Sequence, residues 1–194
     1  MKIIFATNNK HKLEEIRKMA GSGFQLISLE EIGLTGEIPE DHDTLEENAL
    51  EKAKYIYDRT HTPTFADDTG LEVTVLNGQP GVLSARYAGP GKIDRENMQK
   101  LLRKMENETN RSARFRTVIA FIQPGGKEVL FEGIINGQIG TSPRGNLGFG
   151  YDPVFIPDGY HTTFAEMTPD LKNSISHRYL AFSKFIAYLK NTYI

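Results

Sequence analysis

The sequence contains no cysteine. Disulfide bonds, zinc sites built on thiolates and cysteine nucleophiles are therefore excluded. A chain without cysteine is also compatible with a reducing compartment, where disulfides would not persist.

Long apolar segments are missing as well. The N-terminal run, Ile3-Ile4-Phe5-Ala6, is too short for the core of a signal peptide. No other run approaches the roughly 20 apolar residues that a membrane span requires. We therefore expect a soluble intracellular protein without a membrane partner.

The chain has little excess charge of either sign. Its 23 basic and 25 acidic residues leave a net charge of −2, which provides no strong positive field for a long polyanion. Nucleic acid is accordingly not an expected partner, whereas a small phosphorylated ligand needs no more than a local cluster of cations. The 194 residues, 39% of them hydrophobic, suit one domain or two closely packed lobes.

Apolar periodicity predicts a mixed order of helices and strands. The clearest element is a C-terminal helix with apolar residues at positions 175, 179, 182, 186, 189 and 193. The other predicted elements are a strand at 3–6, a helix at 10–20 capped by Asn8 or Asn9, a helix opened by a capping box at 44–47, strands at 64–66 and 72–76, a helix capped by Asp94, and a hairpin of strands 113–122 and 128–135. This order predicts an α/β fold in which helices pack against a mixed sheet.

The first candidate site lies between the first strand and the first helix. It consists of Thr7, Asn8, Asn9, Lys10, His11 and Lys12. A helix N-terminus offers amide donors and a partial positive charge, to which the lysines add full charges. The segment therefore predicts a phosphate site, although it lacks the glycines of a P-loop. The alternative is an ordinary capped helix start with surface lysines.

The second candidate site is the segment Asp67-Asp68-Thr69-Gly70-Leu71, which follows an apolar strand. Two adjacent carboxylates at a strand end suit Mg²⁺, a cation that prefers oxygen ligands. One of them could also accept a proton from an attacking water. The alternative is an acidic turn closed by Gly70.

Two glycine-rich segments could contact a nucleotide. Arg86, within the segment 80–89, could reach a phosphate, although pairing with a structural carboxylate is the favoured interpretation. In Gly148-Phe149-Gly150-Tyr151-Asp152-Pro153, glycines beside aromatic rings would let a flat ligand approach the backbone and stack. The alternative for this segment is a tight turn with core aromatics.

The last candidate site is Lys172 together with Ser176-His177-Arg178, at the start of the C-terminal helix. His177 and Arg178 lie outside the apolar spacing, so they either bind a ligand or form a solvated first turn. The five segments together supply a cationic phosphate site, a carboxylate metal site, a stacking loop and polar groups that could read a base. A nucleotide with a magnesium ion requires this set.

The chain resembles the inosine triphosphate pyrophosphatase family from its first strand to its last helix. The resemblance rests on five motifs in the family's order, namely Thr-Asn-Asn-Lys-His-Lys, Asp-Asp-Thr-Gly-Leu, Pro-Gly-Val-Leu-Ser-Ala-Arg-Tyr-Ala-Gly, Gly-Phe-Gly-Tyr-Asp-Pro and Ser-His-Arg. It implies hydrolysis of non-standard purine nucleoside triphosphates (ITP, dITP and XTP) to the nucleoside monophosphate and pyrophosphate, which cleanses the nucleotide pool. It also implies an elongated α/β fold with two lobes and a central active-site cleft, one domain over residues 1–194, Mg²⁺ as cofactor and a cytoplasmic homodimer.

The resemblance also implies roles for individual residues. Residues 7 to 12 would contact the triphosphate, with Lys12 holding the charge of the leaving pyrophosphate. Asp68 would be the proton acceptor and a metal ligand, so that it deprotonates the water that attacks the α-phosphorus. Glu40 fits the spacing of a second metal ligand best, with Glu37 as the alternative. The residues expected to contact the rest of the substrate are Thr69, Phe149, Gly150, Tyr151, Asp152, Lys172, His177 and Arg178.

Thr69 is a departure from the family pattern, which usually has serine at this position. Because threonine keeps the hydroxyl, we expect little consequence for binding.

Overall fold

The computed structural model describes residues 1–20, 23–34, 36 and 38–193, and of residues 10, 11 and 15 it describes the backbone alone. The helices are α1 (Lys10–Ala20), α2 (Leu45–Thr60), α3 (Asp94–Lys104), α4 (Pro169–Ile175) and α5 (His177–Tyr193). The strands are β1 (Lys2–Phe5), β2 (Gln25–Ile27), β3 (Thr64–Val73), β4 (Pro80–Gly81), β5 (Ser112–Ile122), β6 (Glu128–Ile139) and β7 (Phe155–Pro157). Among the helices of these described ranges, none has the length and apolarity to cross a bilayer.

The strands form one mixed sheet in the order β2-β1-β3-β5-β6-β7, with β4 paired to β3. β1 pairs in parallel with both β2 and β3, whereas the pairs β3–β4 and β6–β7 are antiparallel. Parallel neighbours need a crossover connection, and α1 and α2 lie in the two crossovers that link the parallel strands. The predicted α/β fold with a mixed sheet is confirmed.

The chain forms two compact units. One comprises residues 1–68, 117–132 and 180–194, and the other comprises 69–116 and 133–179, so that β3, β5 and β6 contribute to both. Each unit has its own apolar core. The first includes Ile3, Phe5, Ile16, Phe65, Phe121, Phe182 and Phe185, and the second includes Leu71, Leu101, Met105, Phe115, Phe155 and Phe164.

The predicted caps of α1 and α2 are present. The Asn9 side chain accepts a hydrogen bond from the Lys12 amide at 3.2 Å. Thr44 is the N-cap of α2 and accepts from the Glu47 amide. The Glu47 carboxylate accepts from the Thr44 hydroxyl at 2.8 Å. Both helices therefore begin where side-chain oxygens replace the partners that their first amides lack.

Two predicted strands, 64–66 and 72–76, are wrong as separate elements, because β3 runs without interruption from Thr64 to Val73. Asp67 and Asp68 therefore lie within a strand rather than at its end, and the segment is not a turn. Gly70 allows the paired strand β4 to approach β3 closely. A Cβ on Gly70 would stand 2.7 Å from the carbonyl oxygen of Gly81 in the paired strand β4.

The predicted C-terminal helix is also wrong in one respect, because Ser176 is extended and separates α4 from α5. The Ser176 hydroxyl accepts from the Tyr179 amide at 3.1 Å, which serves the start of α5. Ile175 therefore belongs to a different helix, and Tyr179 is exposed rather than part of an apolar face. Phe182, Ile186 and Leu189 do keep the predicted spacing in the core.

Asp94 does not cap α3 as predicted. The N-cap position is held by Ile93, which makes no side-chain cap, and Asp94 is the first helical residue. Its carboxylate instead accepts from the Gly150 amide at 2.7 Å. The residue that caps a helix stands just before its first helical residue. Asp94 lies one position further on, and its carboxylate makes this tertiary contact instead.

We expect Gly70→Ala to lower the free energy of unfolding by about 1–3 kcal/mol, the usual effect of forcing extra volume into a packed site. The backbone of β4 would have to move away from the new methyl group. Chemical denaturation of the variant and the wild type measures the difference. Gly91→Ala is the matched control, because a Cβ there meets nothing closer than the Ile93 side chain at 3.6 Å. Equal stability of the two variants would show that β4 gives way without cost.

Candidate active site

The first cluster of polar side chains centres on Lys52 of α2. Its ammonium lies 3.2 Å from an oxygen of Glu40 and 3.2 Å from an oxygen of Asp68. The structure thus brings together the two carboxylates that were predicted from sequence to share a metal. Glu37, the alternative ligand, lies outside the described residues.

Lys52 was not recognised from the sequence, although a signal was available. It stands on the same side of α2 as Leu45, Ala49 and Ile56, all of which are buried. A lysine within an apolar stripe is rarely buried unless it is paired. This position therefore pointed to buried carboxylates nearby.

Asp67 has a different cationic partner from Asp68. Its carboxylate accepts from the Lys12 ammonium at 2.6 Å and is almost fully buried. Successive side chains of a strand point to opposite faces, which is consistent with this division of partners. The acidic pair on β3 is thus matched by one lysine from each of two helices.

Burial and charge oppose each other in this cluster. Burial raises the pKa of the Asp68 carboxyl above its ordinary value, and the ammonium groups of Lys52 and Lys12 offset part of that shift. Burial disfavours the charge of Lys52 as well, but the carboxylates of Asp68, Asp67 and Glu40 outweigh it and raise the pKa of Lys52. The cluster therefore holds a charged lysine beside a carboxylate whose basicity is enhanced.

Asn48 fixes the loop that carries Glu40. This buried side chain accepts from the His42 amide at 2.9 Å and donates to the His42 carbonyl at 3.1 Å. Because Asn48 lies one helical turn before Lys52, the same helix positions the ammonium and the loop with its carboxylate. Glu40 and Lys52 are therefore set relative to each other by α2.

Residues 7–12 comprise the end of the loop between β1 and α1 and the first three residues of α1, as predicted. Thr7 accepts from the Asn9 amide, and Asn8 donates to the Gly36 carbonyl at 2.9 Å. The Lys12 side chain joins the acidic pair rather than lying on the surface. Lys10 and His11 belong to α1, but their side chains lie outside the described residues.

The donor set of this cluster suits a magnesium ion. Two carboxylate oxygens, from Glu40 and Asp68, already converge on one cationic group. Mg²⁺ is usually held by one or two carboxylates together with phosphate oxygens and water, so a larger protein cage is not required. Within the described ranges no three His, Cys, Asp or Glu side chains form such a cage.

A second cluster of polar side chains surrounds residues 148–152. The buried Asp152 carboxylate accepts from the Lys172 ammonium at 2.5 Å and from the Phe149 amide at 2.8 Å. Burial raises the pKa of the Asp152 carboxyl, and Lys172, the Phe149 amide and Arg178 oppose that shift. Gly148 adopts a φ of +76°, and a Cβ there would collide with Asp152. The glycine is therefore needed for the carboxylate to close the turn.

The Phe149 ring is 43% exposed although cations surround it. The Lys172 ammonium lies 5.0 Å and the Arg178 guanidinium 5.5 Å from the ring centroid. Cations at this distance are attracted by the face of the ring. An exposed aromatic ring flanked by donors can stack on a flat heterocycle while the donors reach its edge.

His177 and Arg178 are buried, so the solvated first turn that the sequence allowed is wrong. The His177 ring stacks on Phe115 of the core, with centroids 4.7 Å apart and planes at 14°. Both residues follow the extended Ser176, which separates α4 from α5. They lie one helical turn before Ala181 and Phe182, so both continue the buried face of α5.

Gly150 and Tyr151 both bond to other parts of the chain. The Gly150 amide donates to Asp94, as described above. The Tyr151 hydroxyl donates to the Ser84 carbonyl at 2.9 Å, and burial raises the pKa of this phenol. The Ser84 hydroxyl in turn donates to the Gly81 carbonyl and accepts from the Leu71 amide. Three of the motifs read from the sequence are thereby joined by hydrogen bonds. Tyr151 fits the alternative of a core aromatic at this position.

The fold and the two clusters define a class of protein. An α/β chain with a lysine–carboxylate cluster, and with a second cluster of an exposed ring flanked by cations, has the features of an enzyme acting on nucleoside phosphates.

Comparison with known proteins identifies the family. The Ham1 family model matches residues 3–188, and the chain belongs to the Ham1 family. A dITP/XTP pyrophosphatase of Porphyromonas gingivalis is 51% identical over 189 residues, which is 97% of each chain. Another, from Flavobacterium psychrophilum, is 48% identical over 191 residues, covering 98% of this chain and 100% of that protein. The structure of the Staphylococcus aureus Ham1 protein matches with a TM-score of 0.93 at 36% identity, over 98% of this chain and 99% of that one. The resemblance seen in the motifs is confirmed.

We expect Lys52→Met to lower the free energy of unfolding by at least about 2 kcal/mol, because it leaves the partly buried carboxylates of Asp68 and Glu40 without their cation. Methionine keeps most of the volume of the side chain, so the lost charge is the main change. Lys54→Met is the matched control, because Lys54 lies on the same helix in an exposed ion pair with Glu128. Its removal should change the stability by less than about 0.5 kcal/mol. Chemical denaturation measures the stability of both variants. Equal stability of Lys52→Met and Lys54→Met would contradict the central role of Lys52.

Proposed function

We propose that this protein hydrolyses the non-standard purine nucleoside triphosphates ITP, dITP and XTP to the nucleoside monophosphate and pyrophosphate. The observation that carries the proposal is the cluster of Asp68, Glu40 and Lys52, in a chain whose relatives are named dITP/XTP pyrophosphatases. Removal of these triphosphates would cleanse the nucleotide pool.

Asp68 is the proposed general base. Its oxygen takes a proton from water as the water oxygen bonds to the α-phosphorus, while the bond from the α-phosphorus to the bridging oxygen breaks. Pyrophosphate leaves with that oxygen. Burial, which raises the pKa of Asp68, brings its basicity closer to the value best suited to proton transfer near neutral pH.

The cationic groups beside Asp68 would hold the triphosphate. Lys12 and Lys52 supply two ammonium groups, and the start of α1 supplies amides with a partial positive charge. Thr7, Asn8, Asn9, Lys10 and His11 belong to this proposed phosphate site. Positioning and neutralisation of charge account for most of the rate in phosphoryl transfer.

Glu40 and Asp68 are the proposed ligands of a magnesium ion. When bound, the ion would neutralise phosphate charge and so favour attack at phosphorus. The two carboxylates already converge on a cation, since each lies 3.2 Å from the Lys52 ammonium.

The second cluster is the proposed site of the base. Phe149 would stack on the purine, while Lys172, His177 and Arg178 offer donors to the oxygen at ring position six. Thr69, Gly150, Tyr151 and Asp152 complete the proposed substrate contacts. A homodimer in the cytoplasm, with the whole of residues 1–194 as one catalytic domain, remains part of this proposal because the family resemblance implies it.

Product analysis tests the reaction itself. The purified protein is incubated with inosine triphosphate and magnesium, and pyrophosphate and inorganic phosphate are measured separately. We expect equal amounts of inosine monophosphate and pyrophosphate. Release of inorganic phosphate alone would identify a phosphatase instead, and binding without any product would identify a nucleotide sensor.

We expect Asp68→Asn to lower kcat at least ~100-fold, the low end for the loss of a general base. The change is nearly isosteric, and circular dichroism should report an intact fold. Asp58→Asn, on the exposed side of α2, is the control and should keep full activity. Near-normal turnover by the Asp68 variant would exclude it as the base.

We expect a chelator to abolish pyrophosphate release and added magnesium to restore it. Calcium should support the reaction poorly, because its larger and looser coordination shell positions phosphate oxygens less strictly. Initial rates with each ion, after exhaustive chelation, measure the effect. Full activity in the presence of the chelator would rule out the metal.

We expect kcat/KM to be up to ~10,000-fold higher for inosine triphosphate than for adenosine triphosphate. The amino group of adenine is a hydrogen-bond donor, and it would face the donors of Lys172, His177 and Arg178 without an acceptor between them. Arg178→Ala should reduce that preference, whereas Arg103→Ala, on the exposed side of α3, should not. Equal use of both nucleotides by the wild type would overturn the specificity. Unchanged discrimination in the Arg178 variant would remove this residue from the base site.

A further inference from the structure

Asp94 makes a tertiary hydrogen bond where a local one was expected. It stands in the first turn of α3, and its carboxylate accepts from the Gly150 amide at 2.7 Å, across 56 residues of sequence. Hydrogen bonds to a charged acceptor are stronger than those between neutral groups. The start of α3 is therefore tied to the segment that presents Phe149.

Two carboxylates hold successive amides of this segment. Asp152 accepts from the Phe149 amide at 2.8 Å, and Asp94 accepts from the next amide, that of Gly150. Gly150 has a φ of +61°, a conformation that a residue with a side chain rarely adopts. The peptide groups on both sides of the Phe149 Cα are thus fixed, and they set the direction in which the exposed ring points.

Buried contacts fix the position of α3, the helix that carries Asp94. Asn97, one turn after Asp94, is buried, accepts from the Ala88 amide at 2.6 Å and donates to the Ala85 carbonyl at 2.9 Å. Further along the helix, Leu101 packs in the core of the same unit. The backbone position of Asp94 is therefore set by buried contacts of α3, although the residue itself is exposed.

We propose that Asp94 is a positioning residue for the purine-binding segment, acting through the Gly150 amide to hold the Phe149 ring in its stacking orientation. The inference rests on the proposed function for its substrate, but the contact itself does not. Asp94 touches the segment rather than the substrate, so its loss weakens binding while the chemistry at Asp68 continues.

Kinetics with inosine triphosphate give the first test. Asp94→Ala is expected to raise KM by roughly threefold to tenfold, the range that loss of one exposed charged hydrogen bond supports, with kcat changed less than about twofold. Asp94→Asn keeps an acceptor oxygen and should recover part of the loss. Glu96→Ala is the matched control, since it removes an exposed acidic residue from the same first turn and should leave KM unchanged.

Amide hydrogen exchange gives a test that does not depend on activity. In the free protein, Asp94→Ala should accelerate exchange at Gly150, whereas Glu96→Ala should not. Unchanged exchange would overturn the proposed contact, and faster exchange with an unchanged KM would overturn its role in binding. Failure of the wild type to release pyrophosphate would instead contradict the proposed hydrolysis. Calorimetric binding of inosine monophosphate to the wild type and both variants would then decide the role of Asp94, with equal affinities contradicting it.

Discussion

The buried ammonium of Lys52 is the constraint on which the first cluster depends. A charge removed from water is tolerated only when opposite charges and hydrogen bonds replace the solvent. Glu40 and Asp68 provide that compensation, and Lys12 does the same for Asp67. Two helices and a strand are thereby held in a fixed relation. In the same arrangement, oxygens of Glu40 and Asp68 converge on the Lys52 ammonium. Carboxylates and cations placed together in this way are the groups proposed to act on the phosphates.

In the second cluster, too, a buried charge is compensated by an opposite charge and a hydrogen bond. Asp152 is buried because Lys172 and a backbone amide satisfy it, and the turn that brings it there needs a glycine at position 148. The exposed Phe149 ring is left beside cations that the turn gathers around it. In both clusters, the groups proposed to meet the substrate are oriented by buried ion pairs. Such preorganisation is what a site for a charged, flat ligand requires.

Local signals in the sequence predicted local structure well. The caps by Asn9 and Thr44, the strands on either side of the turn at 124–126 and the apolar side of α5 all follow from spacing and side-chain chemistry, and the structure contains them. The errors occur where a distant partner overrides a local preference. Asp94 bonds to Gly150 instead of capping its helix, and the acidic pair lies within β3, which pairs with β4 where Gly70 meets Gly81. Burial of His177 beside Phe115 likewise depends on residues far apart in sequence.

The sequence by itself determined the class of fold, the order of its main elements and the identity of five motifs, because periodicity, capping and residue type act over a few positions. It also excluded thiol chemistry and any large positive field. The tertiary structure alone decided that Lys52 joins Glu40 to Asp68, that Asp67 faces Lys12, and that Asp94 bonds to the Gly150 amide. These pairings join residues that are 12 to 56 positions apart. No periodic pattern encodes a contact between separate elements, because packing of the whole chain fixes which buried charges meet.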